Sequence, residues 1–291
     1  PLFAPAMKAG QMVRGLLPSA LKAKVPAPQK AGAWPTRQHT RKVLLLAGCV
    51  QPAMMPNINT ATARVLDAVG VQTVIAAKAG CCGAVKFHLN DQDGGKTEMR
   101  ANIDAWWPLV ESGAVEGIVM NASGCGVTVK EYAHILKDDP AYAERAQRIS
   151  ALTRDLSELL PAMLPELAHK LEGRVQQPDT LYAYHPPCTL QHGQQLRGGV
   201  ETHLNQLGFR LRTARNEAHL CCGSAGTYSV LNPTLSYQLR DRKLAVLGEA
   251  FGAQPPDMIL SANIGCITHL QSGTGIPVRH WVEVLDEALH G

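Results

Sequence analysis

Two adjacent cysteines followed by glycine occur twice in this chain, at Cys81-Cys82-Gly83 and at Cys221-Cys222-Gly223, 140 positions apart. Each pair has a lone cysteine upstream, Cys49 and Cys188, and another downstream, Cys125 and Cys266. The spacings are C-x31-CC-x42-C and C-x32-CC-x43-C, and between them they use all eight cysteines. Thiolates are the donors that suit iron–sulfur clusters, and four per set is the number a [4Fe–4S] cluster takes. Glycine beside a ligand lets backbone N–H groups approach the sulfur atoms. Structural zinc favours C-x2–4-C knuckles, and the compact ferredoxin run C-x2-C-x2-C-x3-C is a different pattern; the chain has neither. Thiol–disulfide exchange and plainly buried thiols are the competing readings.

The elements that must position these cysteines follow from hydrophobic pattern. Val43–Ala47, Val71–Ala76 and Gly117–Met120 read as strands, each delivering the chain to a cysteine. Helices are expected from Asn59 or Thr60 to Val69 with Gly70 as the stop, near Thr97–Ser112, near Val127–Leu136, and again over Arg148–Leu160. The second half repeats the plan, with strands at Leu181–Tyr184, Phe209–Thr213 and Met258–Leu260. Helices are expected at Val200–Leu207 and for about fifteen residues from Pro233. Strand–helix alternation of this kind predicts an α/β protein of two homologous, Rossmann-like domains with parallel sheets, related by a pseudo-twofold. Residues 43–160 should superimpose on 181–291, with the cysteine loops facing one another across the junction. Ligands of such sheets bind at the carboxyl ends of the strands, where all eight cysteines fall.

Residues 1–42 hold eight Lys or Arg and no Asp or Glu, so this stretch is +8 and the remainder −4, giving the net +4. Six of the 19 prolines lie here as well, which reads as a solvated linker over residues 1–40. Leu16-Leu17 and Leu21 give it a short apolar face, so the sharper alternative is a basic arm on an acidic partner or on anionic lipid. Pro1 in place of an initiator methionine points to a piece of something longer. The two cysteine-bearing domains are then 41–175 and 176–291. No basic stripe interleaved with aromatics suggests nucleic-acid binding. No apolar run reaches the roughly 18 residues of a membrane span, and no secretory signal is recognisable, so a reducing cytoplasm is expected. Gly223-x-x-Gly226 and Gly273-x-Gly275 fall short of a dinucleotide fingerprint, so no flavin is expected on this chain.

The polar residues nearest the cysteines are His185 and His192, which flank Cys188, His219 before Cys221, and Asn263 before Cys266. They are candidates to tune a cluster or relay a proton, against the plainer reading of hydrogen-bonded or surface side chains. Asn121, near a strand end, reads as a loop hydrogen bonder, and Trp106-Trp107 as helix core or interface.

The duplicated pattern resembles the cysteine-rich domain of heterodisulfide reductase catalytic subunits and of the iron–sulfur subunits of glycolate-, lactate- and glycerol-3-phosphate-oxidising complexes. The strings Ala79-Gly80-Cys81-Cys82-Gly83-Ala84, Ala122-Ser123-Gly124-Cys125-Gly126, Pro187-Cys188-Thr189-Leu190-Gln191-His192 and Ala262-Asn263-Ile264-Gly265-Cys266 are similar to those of glycolate oxidase iron–sulfur subunits. So are Asn102–Trp107, Leu220–Tyr228 and Val278-Arg279-His280-Trp281. The resemblance covers roughly residues 40–291. It implies an electron-transfer subunit with clusters held by Cys49, Cys81, Cys82, Cys125, Cys188, Cys221, Cys222 and Cys266. It also implies partner subunits that carry the flavin, a quinone acceptor, and peripheral contact with the inner membrane. Two differences stand out. The upstream domain with ferredoxin-like cysteine runs is not in this chain. The fullest motif ends C-x-x-C, whereas the first of those positions is Ala122 in one half and Asn263 in the other, implying four thiolates per half. The rival functions are a thiol/disulfide redox enzyme of the heterodisulfide reductase type and a docking subunit with vestigial cysteine sites.

Overall fold

The computed structural model describes residues 3–18, 25–174 and 179–291. Leu21 and the expected boundary at 175/176 lie outside them. The chain forms two compact units, one built on Gln29–Leu159 and one on Leu160–Gly291, with the N-terminal residues divided between them. Phe3–Met12 is a helix, α1, within the stretch that reads as a linker.

In the first unit, β1 (Arg41–Leu45) is followed by α2 (Pro56–Ala68), β2 (Val71–Val74), α3 (Gln92–Glu111) and β3 (Gly117–Met120). Then come α4 (Ser123–Lys130), a short helical piece at Tyr132–Ile135, α5 (Ala143–Leu152) and β4 (Thr153–Asp155). All strand pairs are parallel, in the order β2-β1-β3-β4. The second unit opens with α6 (Leu160–Leu171) and β5 (Leu181–His185), then α7 (Gly199–Gln206) and β6 (Arg210–Thr213). It continues with α8 (Pro233–Glu249), β7 (Met258–Ser261), α9 (Ile264–Gln271), β8 (Val278–His280) and α10 (Trp281–His290). Its sheet, β6-β5-β7-β8, is again wholly parallel and has the same topology. The α/β class and the duplicated Rossmann-like plan expected from the sequence are therefore present.

Burial explains why the central strands were readable. Leu44, Leu45, Ile118 and Val119 are buried, as are Ala183, Tyr184, Ile259 and Leu260, because parallel strands are covered on both faces. Helix α3 turns Met99, Ile103, Trp106 and Val110, at helical spacing, into a core with Leu44, Leu46, Ile118 and Met120. Trp106 is core, as expected, whereas Trp107 is only partly covered and lies under the Arg145 guanidinium. Two expected helices differ in detail. The one over Val127–Leu136 begins earlier, at Ser123, and breaks at Glu131. The helical pattern over Arg148–Leu160 is interrupted by β4, where Thr153 and Asp155 point inward beside β3.

This topology fixes where a ligand can sit. From β1 the chain passes to β2 on one side, then returns to β3 on the other, so a crevice opens beyond the carboxyl ends of β1 and β3. Cys49 follows β1 and Cys125 follows β3; Cys188 and Cys266 follow β5 and β7 in the same way.

Candidate metal centres

Each set of four cysteines, scattered over some 77 positions of sequence, comes together in space. In the first unit Cys49 contacts Cys81, Cys81 contacts Cys82, and Cys82 contacts Cys125. In the second the same chain runs Cys188, Cys221, Cys222, Cys266, with the Cys188 and Cys221 sulfurs 3.8 Å apart. Cys125 and Cys266 lie in the first turns of α4 and α9, at the helix ends whose exposed N–H groups favour an anion.

Glycine is required where each cysteine pair turns. Gly83 has φ +88° and Gly223 φ +91°, a left-handed conformation that side chains disfavour. A Cβ would also stand 2.7 Å from the Gly95 carbonyl oxygen in the first case and 2.3 Å from that of Ser236 in the second. The turn sends each backbone N–H back to sulfur: Gly83 N–H donates to Cys81 Sγ at 3.4 Å, and Gly223 N–H to Cys221 Sγ at 3.3 Å.

These contacts lower one thiol of the first set and two of the second. Hydrogen bonding from Cys49, then from Cys82, holds Cys81 far below the ordinary thiol range, with Gly83 N–H assisting. Cys188 and Cys222 do the same for Cys221. The donors are pushed up in return: Cys49 by its bond to Cys81, Cys188 by its bond to Cys221, Cys82 by its bond to Cys125. Cys266 is lowered, first by Cys222 and then, against its burial, by His185. Four soft donors per set, one already deprotonated and hydrogen-bonded by backbone, fit the ligand demands of an iron–sulfur cluster.

The loops that carry the cysteines are pinned differently in the two units. In the first, Asn102 is wholly buried; its amide oxygen accepts from Gly80 N–H at 2.8 Å, and its NH2 donates to Cys81 O at 2.7 Å and to Tyr132 Oη at 3.2 Å. The Tyr132 hydroxyl donates in turn to Cys82 O at 2.8 Å. Beneath the Cys49 loop, Gln51, Asn59, Asn121 and Thr62 form a buried amide network that reaches Ala47 O, which is the loop role expected for Asn121. In the second unit Ser236 Oγ donates to Gly223 O, and Lys243, 1% exposed, donates to Glu217 O at 2.7 Å. Burial pushes the Lys243 ammonium down. Gln191 ties Pro186 O to Ala218 O, joining the Cys188 loop to the segment before Cys221.

The four polar candidates fall in different places. His185 is fully buried, and a ring nitrogen lies within 4.8 Å of the Cys222 and Cys266 sulfurs. Asn263 directs Nδ2 at Cys266 Sγ, 3.8 Å away. His192 is exposed; it accepts from Arg197 through Nδ1 and donates through Nε2 to His219 O, so it fastens two loops at the surface. The His219 side chain is exposed to solvent.

The Cysteine-rich domain family matches this chain twice, over residues 43–130 and 182–271. The glycolate oxidase iron-sulfur subunit of Escherichia coli (strain K12) is 48% identical over 289 residues, which is 99% of this chain and 68% of that protein. The chain belongs to the glycolate oxidase iron–sulfur subunit family. A second relative, the probable glycolate oxidase iron-sulfur subunit of Bacillus subtilis (strain 168), is 31% identical over 80% of this chain and 50% of its own length. Lactate utilization protein A of Geobacillus thermodenitrificans (strain NG80-2) is 30% identical over 84% of this chain and 98% of its own length. The chain thus spans about two thirds of one glycolate oxidase relative and half of the other.

For this member of the glycolate oxidase iron–sulfur subunit family, sequence reasoning found the cysteines but not what pins them. Asn102, Tyr132, Ser236 and Lys243 went unremarked as site residues. For Asn102 there was a signal: it sits three after Met99 and four before Trp106, a polar residue on an apolar stripe. Lys243 has the same character, lying on the face of α8 that buries Ser236, Val246 and Leu247.

Proposed function

We propose that this chain is the iron–sulfur electron-transfer subunit of a complex that oxidises a 2-hydroxy acid, glycolate, to the 2-oxo acid. Its eight cysteines hold the clusters, of the [4Fe–4S] type, one set in each of the two units. Supporting this reading above all is the convergence of each four-thiol set beyond the carboxyl ends of the strands, in a chain that belongs to this family. When bound, an iron–sulfur cluster supplies one-electron storage and release. The chain's own residues do the rest. Cys81 and Cys221 stand ready as thiolates, and the Gly83 and Gly223 N–H groups neutralise charge on sulfur. Asn102 with Tyr132, and Ser236 with Lys243, keep the paired cysteines from moving with redox state. Substrate oxidation belongs to a partner subunit that carries the flavin, and the acceptor is a quinone at the cytoplasmic face of the inner membrane. No helix among the described residues is long and apolar enough to cross a membrane, so contact there would be peripheral, with the basic residues before Val43 suited to anionic lipid.

Substitution in the assembled complex tests the division of labour. With Cys81→Ser or Cys221→Ser, glycolate-dependent flavin bleaching should continue while reduction of a quinone analogue falls at least tenfold. Loss of both in an assembled complex would place these thiols in the substrate chemistry, and loss of neither would make them structural. The closeness of Cys188 to thiolate Cys221 favours one rival, thiol–disulfide exchange. Turnover of a disulfide substrate by the chain without its partners would favour that rival over electron transfer.

A further inference from the structure

The two centres differ most at one position. Three residues before Cys49 stands Leu46, buried in the apolar core of the first unit; three residues before Cys188 stands His185. His185 is 0% exposed, yet neither Nδ1 nor Nε2 has a nitrogen or oxygen partner. Among the described residues, the only neighbours its ring answers to are sulfur atoms, and it helps lower the Cys266 thiol. The strand does not need the ring: the His185 carbonyl is held separately by Ser261 Oγ at 2.9 Å, and its main chain pairs with β7. The corresponding strand of the first unit ends in leucine and still leads to a cysteine loop. Something other than folding therefore explains an imidazole here.

The ring faces sulfur. One nitrogen of His185 and the Sγ atoms of Cys222 and Cys266 all lie within 4.8 Å of one another, and all three residues are buried. Metal–nitrogen and metal–thiolate bonds of about 2.0–2.3 Å span that separation, so all three can ligate one metal centre. We propose that His185 is a metal ligand of the second centre. Its imidazole nitrogen joins the cysteine thiolates there, making this a mixed nitrogen–sulfur site, while the first centre is held by sulfur alone. The inference rests on the reading that the cysteine sets bind iron–sulfur clusters. Both sets keep four cysteines, so the imidazole is an added neutral donor, and the second centre differs from the first in ligand type and not in thiolate number.

The test is pulsed electron paramagnetic resonance on the reduced, anaerobically purified complex, prepared with natural and with 15N-imidazole histidine. Wild type should show a nitrogen coupling that changes with the isotope. His185→Leu, the residue the first unit uses, should abolish it and shift the potential of one centre while leaving the other unmoved. His185→Cys should retain iron at the second centre without the nitrogen coupling, which separates ligation from packing. The wild-type isotope comparison stands even if His185→Leu fails to fold. Wild-type iron and sulfide with no histidine nitrogen coupling would overturn the inference and leave the proposed function intact; so would a coupling that survives in His185→Leu. A complex whose chain holds no iron or acid-labile sulfide would overturn both.

Discussion

Asn102→Ala probes how the first cysteine pair is held. The substitution removes three hydrogen bonds, to Gly80 N–H, Cys81 O and the Tyr132 hydroxyl, from a wholly buried position. Each is worth about 0.5–1.5 kcal/mol net, and a buried group stranded without its partner costs about 1–3 kcal/mol. Gly80 N–H and Cys81 O are only part-buried, so the expected loss is about 2–4 kcal/mol, concentrated in the loop that carries Cys81 and Cys82. At about 1.4 kcal/mol per factor of ten, amide exchange around the pair should speed up roughly thirtyfold to several hundredfold. Tyr132→Phe is the graded control: it removes one hydroxyl that bridges Asn102 and Cys82 O, and should cost about 1–2 kcal/mol. The assay is peptide-resolved hydrogen exchange on the metal-free chain, with peptides around Cys221 and Cys222 as the internal reference. Exchange around residues 80–88 within threefold of wild type would refute the pinning argument. Equal acceleration in both units would refute its locality.

Two further outcomes follow from the geometry of the pairs. Gly223→Ala adds a Cβ at φ +91° only 2.3 Å from Ser236 O, and should destabilise the second unit by about 2–5 kcal/mol from strain and overpacking. Gly48→Ala, at φ +78° with nothing within 4 Å, should cost the first unit about 1 kcal/mol. Equal shifts in the urea midpoints of the two units would contradict the steric account. In the metal-free chain Cys81 and Cys221 are lowered and so already thiolate at neutral pH, whereas an ordinary thiol loses about tenfold in thiolate for each unit below pH 8.5. Their alkylation by iodoacetamide should therefore stay nearly constant from pH 8 to 5, while Cys49 and Cys188, pushed up, react slowly throughout. A tenfold drop per pH unit at Cys81 would show that it is an ordinary thiol.

Much of this architecture was legible in the residues because buried parallel strands write themselves as apolar runs. The strands expected at Val43–Ala47, Gly117–Met120 and Met258–Leu260 lie within a residue or two of Arg41–Leu45, Gly117–Met120 and Met258–Ser261. The fourth strand of each sheet was not. Thr153–Asp155 and Val278–His280 are three residues long, each with a polar or charged centre, and their pairing to β3 and β7 fixes them more than their composition does. The cysteine sets were legible through duplication, which no local pattern could mimic. The pinning residues were not, because Asn102 and Tyr132 act on the backbone of a loop 21 and 50 positions away, and a backbone carbonyl leaves no mark in sequence. His185 was visible only as a neighbour of Cys188; that it points at Cys222 and Cys266 depends on how β5 and β7 pair.

The most direct test of the central claim is anaerobic iron and acid-labile sulfide analysis with electron paramagnetic resonance, on wild type, Cys81→Ser and Cys221→Ser chains within the complex. Two cysteine sets in two compact units predict two spectroscopically distinct centres, one lost in each variant while the other keeps its signal and its iron. A wild-type chain without iron, or single substitutions that erase both centres or neither, would contradict it.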